Sequence, residues 1–105
     1  MKINFRLLNF FILLCFFIFG DSKRTSQVIA LQKIYDSLDG RNWINCKWDI
    51  EKNIENYCNF CGLECNEQSM ITSITLPNNG LKGEIPGEID LLQKLKILEM
   101  NNNNM

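Results

Sequence analysis

The sequence contains no histidine. This absence excludes serine–histidine–aspartate triads, cysteine–histidine pairs, histidine-based metal sites and the usual pH-sensitive side chain. A chain of 105 residues is also too short for a complete kinase or a two-domain dehydrogenase. Positive charge is not in excess, because nine basic and twelve acidic residues remain once residues 1–20 are set aside. We therefore expect no enzyme activity, no bound cofactor or metal, and no nucleic-acid partner.

The longest apolar stretch lies at the start of the chain. Lys2 and Arg6 flank its beginning, and residues 7–19 are apolar apart from one asparagine. This run is shorter than the roughly 20 apolar residues that a membrane-spanning helix needs. A basic start, a short apolar run and small residues after it are typical of a secretory signal peptide. We predict a signal peptide over residues 1–20; an uncleaved anchor and a buried core helix are the alternatives.

Cysteine usage agrees with secretion. Cys15 lies in the leader, and the remaining four cysteines are Cys46, Cys58, Cys61 and Cys65. An even number in a small secreted domain predicts two disulfide bonds, for which three pairings exist. Three of the cysteines lie within eight residues, so Cys46 must close the longer loop. The spacing fits no zinc motif, and no thioredoxin-like pattern surrounds Cys58-x-x-Cys61.

An amphipathic helix is predicted after the leader. Apolar residues three or four positions apart form one face of this helix, namely Val28, Leu31, Ile34, Tyr35 and Leu38. We expect the helix to start at about residue 26, with Thr25 or Ser26 as its N-cap. We expect Asp39-Gly40 to end it, with Gly40 in the left-handed conformation.

Residues 41–68 have no regular period. They contain all four remaining cysteines and several aromatic side chains, among them Trp43, Trp48, Tyr57 and Phe60. Aromatic side chains bury a large area each, and cross-links reduce the entropy of the unfolded chain. We therefore predict a compact segment with little regular structure.

A repeat begins near residue 70. Five positions recur at a constant displacement of 24 residues. The first set is Ile71, Ile74, Leu76, Asn79 and Leu81, and the second is Leu95, Leu98, Met100, Asn103 and Met105. This period and this order of apolar residues and asparagine are typical of leucine-rich repeats.

The chain resembles the N-terminal end of plant-type leucine-rich-repeat proteins, which include receptor-like kinases, receptor-like proteins and polygalacturonase inhibitors. The segment Leu81-x-Gly83-x-Ile85-Pro86 matches this subclass. Residues 58–65 resemble the Cys-x-Trp-x-Gly-Val-x-Cys run that precedes the first repeat in the family. In this chain a phenylalanine replaces the tryptophan and a leucine replaces the valine.

The resemblance implies a disulfide bond between Cys58 and Cys65. Cys46 and Cys61 are additional to the family pattern, and we infer that they pair with each other because they remain. The resemblance also implies an α/β fold: the start of a leucine-rich-repeat solenoid with a helical, disulfide-bonded cap. We predict a cap over residues 21–69, a first repeat over 70–94 and a partial second repeat over 95–105.

Alternation along each short strand predicts two faces. Inward positions form the core, together with the side chains that fill the rest of the coil: Ile71, Ile74, Leu76, Leu81, Ile85, Ile89 and Leu92. Outward positions on the concave face are the candidate binding residues Ser73, Thr75, Ile97 and Glu99, flanked by Pro77 and Asn101. We expect Asn79 and Asn103 to lie inside, where an amide can bond the backbone of a neighbouring coil. Gly83 and Pro86 are expected to form the turns.

These features predict a secreted or cell-surface module that binds a protein or peptide ligand. The pattern stops midway through the second repeat, which favours a fragment of a longer receptor-like recognition protein. The alternative is a stand-alone secreted structural or hydrolase-inhibitor protein. Membrane attachment is expected only through an uncleaved leader or as part of a longer receptor. In either case Leu98 and Met100 would lie at an open strand edge.

Overall fold

The computed structural model describes residues 22–105, and the predicted signal peptide lies outside these residues. None of the helices within 22–105 is long and apolar enough to cross a membrane. The helices are α1 (Ser22–Ser37), α2 (Ile50–Asn53) and three 3₁₀ helices, Gly40–Asn42, Ile54–Asn59 and Gly87–Leu91. The strands are β1 (Leu63–Cys65), β2 (Ile71–Thr75) and β3 (Ile97–Glu99).

The three strands form one sheet in the order β1-β2-β3. β2 pairs antiparallel with β1 and parallel with β3, and Ile74 lies opposite Leu98. Two parallel neighbours need a crossover connection, which here runs through the 3₁₀ helix Gly87–Leu91. The pairing of residues 24 positions apart confirms that the chain winds into successive coils.

Helix α1 differs from the prediction at both ends. It begins at Ser22, so Thr25 and Ser26 lie within it instead of capping its start. It ends at Ser37, and Asp39 adopts the left-handed conformation (φ 60°) in place of Gly40. Gly40 is required for a different reason, since a Cβ atom there would lie 2.1 Å from the Tyr35 ring.

The core of the cap is an aromatic cluster beneath α1. The Trp43 indole meets the rings of Tyr35 and Trp48 edge-on, with centroids 5.4 Å and 4.8 Å away. Its Nε1 donates to the Leu38 carbonyl at 2.8 Å, which satisfies a group beyond the end of the helix. The cluster therefore satisfies a backbone carbonyl at the C-terminal end of α1 and buries apolar surface at the same place.

The end of α1 also contacts the first coil directly. The Lys82 amide donates to the Leu38 carbonyl at 3.2 Å, and Ser37 Oγ donates to the Glu84 carbonyl at 2.7 Å. Because these contacts are made by the backbone of residues 82–84, the side chain of Ile85 stays outside and is 42% exposed. The prediction that Ile85 fills the coil is therefore wrong.

Tyr57 connects the cap to the turn before β2. Its ring is buried, its hydroxyl donates to the Ser69 carbonyl, and the Arg24 guanidinium lies 5.5 Å from the ring centroid. Burial raises the pKa of Tyr57 above its usual 10.0, and the charge of Arg24 partly opposes this.

The raised pKa of Tyr57 predicts a loss of stability at high pH. The unfolded chain releases the phenolic proton at lower pH than the folded chain. The stabilisation by the buried, protonated Tyr57 is therefore fully present below about pH 10 and declines above it. Urea unfolding measured from about pH 9 to pH 11 checks this. We expect Tyr57→Phe to be less stable at neutral pH but to show a shallower alkaline decline than the unsubstituted protein. An identical decline in both proteins would contradict the assignment.

Two disulfide bonds cross-link the cap. One joins Cys46 to Cys61 across 15 residues, and the other joins Cys58 to Cys65 across 7. In the chain-entropy description a longer loop stabilises more, about 3 kcal/mol for the former and about 2 kcal/mol for the latter.

We expect Cys46→Ala/Cys61→Ala to lower the free energy of unfolding more than Cys58→Ala/Cys65→Ala. Cys46 is buried, so its truncation adds a cavity cost to the lost loop constraint. Guanidinium unfolding of the two double variants, each retaining the other bridge, measures the difference. A larger loss from the shorter loop would contradict the loop-closure explanation.

Candidate functional site

The strand register aligns side chains in rows across the sheet. Glu64, Ser73 and Ile97 form one row, and Thr75 and Glu99 form the next. These five residues lie on the side of the sheet opposite the buried Ile74 and are called the outer strand face below. It contains the four predicted binding residues Ser73, Thr75, Ile97 and Glu99, with Glu64 in addition.

Exposure differs strongly within the outer strand face. Ile97 is 48% exposed, Glu64 and Glu99 are exposed, and Thr75 is half-buried. Ser73 is only 5% exposed between its two neighbouring strands, and its Oγ lies 3.4 Å from Thr75 Oγ1. The expectation that Ser73 is available to a ligand is therefore corrected, because strand pairing on both sides covers it. The accessible groups are two carboxylates, one hydroxyl and one branched apolar side chain.

Sequence reasoning missed Glu64 on this face. β1 has three residues and pairs with β2 through a register shift, so it has no period that a sequence could reveal. Gln27 was also missed: it is buried on α1, and its Oε1 accepts the Ile71 amide proton at 2.8 Å. A polar residue on an apolar helix face is the only local signal for this contact.

Asn79 bonds the first coil to the cap. Its side chain is completely buried. Its Oδ1 accepts the amide protons of Asn45 and Cys46 at 2.8 Å and 2.7 Å, and its Nδ2 donates to the Cys46 carbonyl at 2.7 Å. One carboxamide thus satisfies three backbone groups of the cap.

Asn103 makes the equivalent contacts one coil later. Its Oδ1 accepts the amide protons of Asn79 and Leu81 at 2.8 Å and 3.1 Å. Its Nδ2 donates to the Leu76 and Met100 carbonyls, both at 2.8 Å. Asn103 is half-buried, in contrast to Asn79. The two amides therefore connect cap, first coil and second coil in series.

The open side of the second coil is partly apolar. Leu98 lies in the core row beside Ile74 but is 38% exposed, while Met100 is half-buried. Within residues 22–105 there is no group of three or more acidic or cysteine side chains arranged to hold a metal ion. The groups assembled around the sheet can donate and accept hydrogen bonds and contact apolar side chains.

Sequence comparison identifies leucine-rich-repeat proteins that are similar to this chain. No model of a known protein family matches the sequence. The receptor protein-tyrosine kinase CEPR1 of Arabidopsis thaliana is 31% identical over 105 aligned residues, which cover 91% of this chain and 10% of that protein. A probable leucine-rich repeat receptor-like protein kinase of Arabidopsis thaliana is 40% identical over 42 residues, covering 40% of this chain and 4% of that protein.

Solved structures show the same architecture. A leucine-rich repeat protein from Bacteroides eggerthii superposes with a TM-score of 0.70 and 26% identity, covering 75% of this chain and 13% of that chain. A second, from Bacteroides thetaiotaomicron, has a TM-score of 0.68 and 27% identity, covering 75% and 11%. This chain thus spans a small part of the length of the proteins it matches.

Parallel strands one coil apart, asparagine side chains that bond successive units and a disulfide-bonded cap define a capped solenoid of leucine-rich repeats. The chain belongs to the leucine-rich-repeat proteins, and its sequence is similar to a small part of plant receptor-like kinases.

Proposed function

We propose that this chain is the N-terminal segment of a secreted or cell-surface leucine-rich-repeat protein that recognises a protein or peptide ligand without catalysing a reaction. The observation that carries the proposal is the register of β2 and β3, which aligns the outward side chains of successive coils. Each further coil would extend this face by one strand. In this proposal, residues 1–20 are the leader, 21–69 the cap, 70–94 the first repeat and 95–105 part of the second.

The chemistry of the outer strand face favours a basic, partly apolar peptide. Glu64 and Glu99 place carboxylates in neighbouring rows of the face, and the exposed side chain of Ile97 lies in the same row as Glu64. A standard protein interface buries about 800 Å² on each partner, far more than three short strands offer. We therefore expect weak binding by this segment alone and stronger binding when more coils contribute.

The disulfide bonds and the apolar leader favour an oxidising compartment as the location of this protein. The cap contains two disulfide bonds, which persist outside the cytosol, and the apolar leader has the pattern of a secretion signal. The two Arabidopsis relatives are named as a receptor kinase and a probable receptor-like kinase. Their similarity to this chain covers 10% of their length or less, so their kinase activity carries no expectation for it.

Selection from a displayed peptide library on the secreted chain tests the proposal. We expect enriched peptides to carry basic and apolar residues and to lose binding about tenfold when Glu99→Lys reverses the charge on the face. Glu84→Lys is the matched control, because Glu84 is also exposed but lies in the loop beside α1. Equal losses from both substitutions, or no enrichment at all, would contradict recognition by the outer strand face.

The transcript downstream of the Met105 codon supplies a second test. Further 24-residue repeats followed by a membrane span or a kinase domain would support a receptor-like protein. An immediate stop codon would favour the stand-alone inhibitor instead.

A further inference from the structure

A second surface of the cap has a regular pattern of its own. Asparagine recurs every three residues at Asn53, Asn56 and Asn59, along the 3₁₀ helix Ile54–Asn59 and the residue before it. The helical conformation is interrupted at Asn56 (φ −101°, ψ 29°), so a shared groove and not one continuous helix relates the three asparagines. The residues that follow each asparagine turn inward instead: Ile54 and Phe60 are partly buried against the core, and Tyr57 is fully buried. Asn53, Asn56 and Asn59 are all exposed and line the same groove, and they are called the asparagine ridge below.

The asparagine ridge borders a groove of about 370 Å³. Lys47, Asp49, Phe60 and Cys61 complete its lining. Asp49 orients the first carboxamide, since its Oδ2 accepts from Asn53 Nδ2 at 2.7 Å. The side chains of Lys47, Asn56 and Asn59 contact no hydrogen-bonding partner among the described residues, so they are available to a ligand.

The aromatic wall of the groove is held rigidly. The Phe60 ring stacks on Trp48 with centroids 6.0 Å apart and planes 23° from parallel. Trp48 in turn contacts Trp43 edge-on and donates from Nε1 to the Cys61 carbonyl at 2.8 Å. Disulfide bonds at Cys58 and Cys61 fix the backbone on both sides of Phe60. A ligand would meet an ordered surface and would not have to order it, which favours affinity.

We propose that this groove binds a pyranose unit of an oligosaccharide. Sugar hydroxyls both donate and accept hydrogen bonds, and a carboxamide is the uncharged side chain that offers two donors and an acceptor together. The apolar C–H face of a pyranose fits against an aromatic ring, here Phe60. The groove is open, its volume lies near the lower end of the range of small-ligand sites, and polar side chains line it beside one aromatic residue. The ammonium of Lys47 at the rim can in addition pair with the carboxylate of a uronic acid.

The site is separate from the outer strand face, because all its lining residues belong to the cap and none lies on a strand. It also has no unpaired backbone edge of the kind that an extended peptide uses for strand addition. The inference therefore stands whether or not the proposed peptide recognition is correct.

Titration of the secreted chain with cellotriose and with tri-galacturonic acid tests this inference. The readouts are side-chain amide resonances in NMR spectra and the fluorescence of Trp48 beneath Phe60. We expect binding in about the millimolar range, with shifts at Asn56 and Asn59. The variant Asn56→Ala/Asn59→Ala should weaken binding about tenfold, because two exposed carboxamides are removed without loss of core contacts.

Asn104→Ala is the matched control, since Asn104 is exposed and lies in the second coil, away from the groove. It should bind both sugars like the unsubstituted chain. Lys47→Ala should weaken binding of the uronic acid alone, which distinguishes the two sugar classes. Absence of shifts with both sugars, or binding that survives the double substitution, would overturn the proposal. So would an equal loss in Asn104→Ala.

Discussion

Asn79→Leu is expected to lower the free energy of unfolding by about 3–9 kcal/mol. Leucine has a similar volume but cannot replace the three hydrogen bonds to Asn45 and Cys46. Two amide protons and one carbonyl of the cap would then be buried without partners, at about 1–3 kcal/mol each. Small domains are stable by only about 5–15 kcal/mol in total. The substituted chain should therefore be largely unfolded or fail to be secreted.

Urea unfolding followed by tryptophan fluorescence measures this loss, and two variants control for it. Asn79→Asp keeps the two accepting contacts but sets its second carboxylate oxygen against the Cys46 carbonyl, so we expect a loss that is smaller at low pH, where a protonated carboxyl can donate to that carbonyl. Asn103→Leu should cost less than Asn79→Leu, because Asn103 is half-buried and water can replace part of its bonding. If Asn79→Leu changed stability by less than about 1 kcal/mol, the bonding between cap and coil would not be an important source of stability.

Gly83→Ala is expected to be the second most damaging change, at about 3–5 kcal/mol. Gly83 has φ +119°, a conformation that only glycine adopts readily, and an added Cβ would lie 2.2 Å from the Ser37 carbonyl oxygen. The neighbouring atom is backbone, so a rotamer change cannot relieve the clash. Movement of residues 82–84 would break the Lys82–Leu38 and Ser37–Glu84 hydrogen bonds that dock α1 on the first coil.

Gly87→Ala is the matched control for this substitution. A Cβ at Gly87 meets no atom within 4 Å, and Gly87 is not among the residues with positive φ. We expect a stability change within about 1 kcal/mol, with stabilisation favoured because alanine restricts the unfolded chain. Thermal unfolding of the two variants side by side makes the comparison. Similar losses at both positions would show that general glycine flexibility, and not the contact with α1, determines the effect.

The asparagine contacts also explain how an irregular cap can begin a regular solenoid. Asn103 receives the amide protons of Asn79 and Leu81 from the preceding coil, and Asn79 receives those of Asn45 and Cys46 from the cap. The cap therefore presents backbone groups to the first coil much as a coil would. This lets the outer strand face start at β1 without leaving buried backbone groups unpaired.

The amino-acid pattern alone predicts how this chain winds. The 24-residue recurrence of apolar positions places Ile74 and Leu98 at equivalent points of successive coils, and the structure pairs them. Such a pattern can be recognised in the sequence because each coil buries side chains at equivalent positions against its neighbour. The class of fold and the loop-rich cap followed from this period and from the local composition.

The contacts between side chains that are far apart in the chain depend on how the elements pack. Ser73 is buried because strands on both sides enclose it, and Ile85 is exposed because the end of α1 contacts backbone at that point. Gln27 bonds to Ile71, 44 residues away. The local sequence pattern shows whether a residue is apolar and at what spacing apolar residues recur. It does not record which distant backbone group will lie beside it, because that depends on how cap, helix and coils pack together.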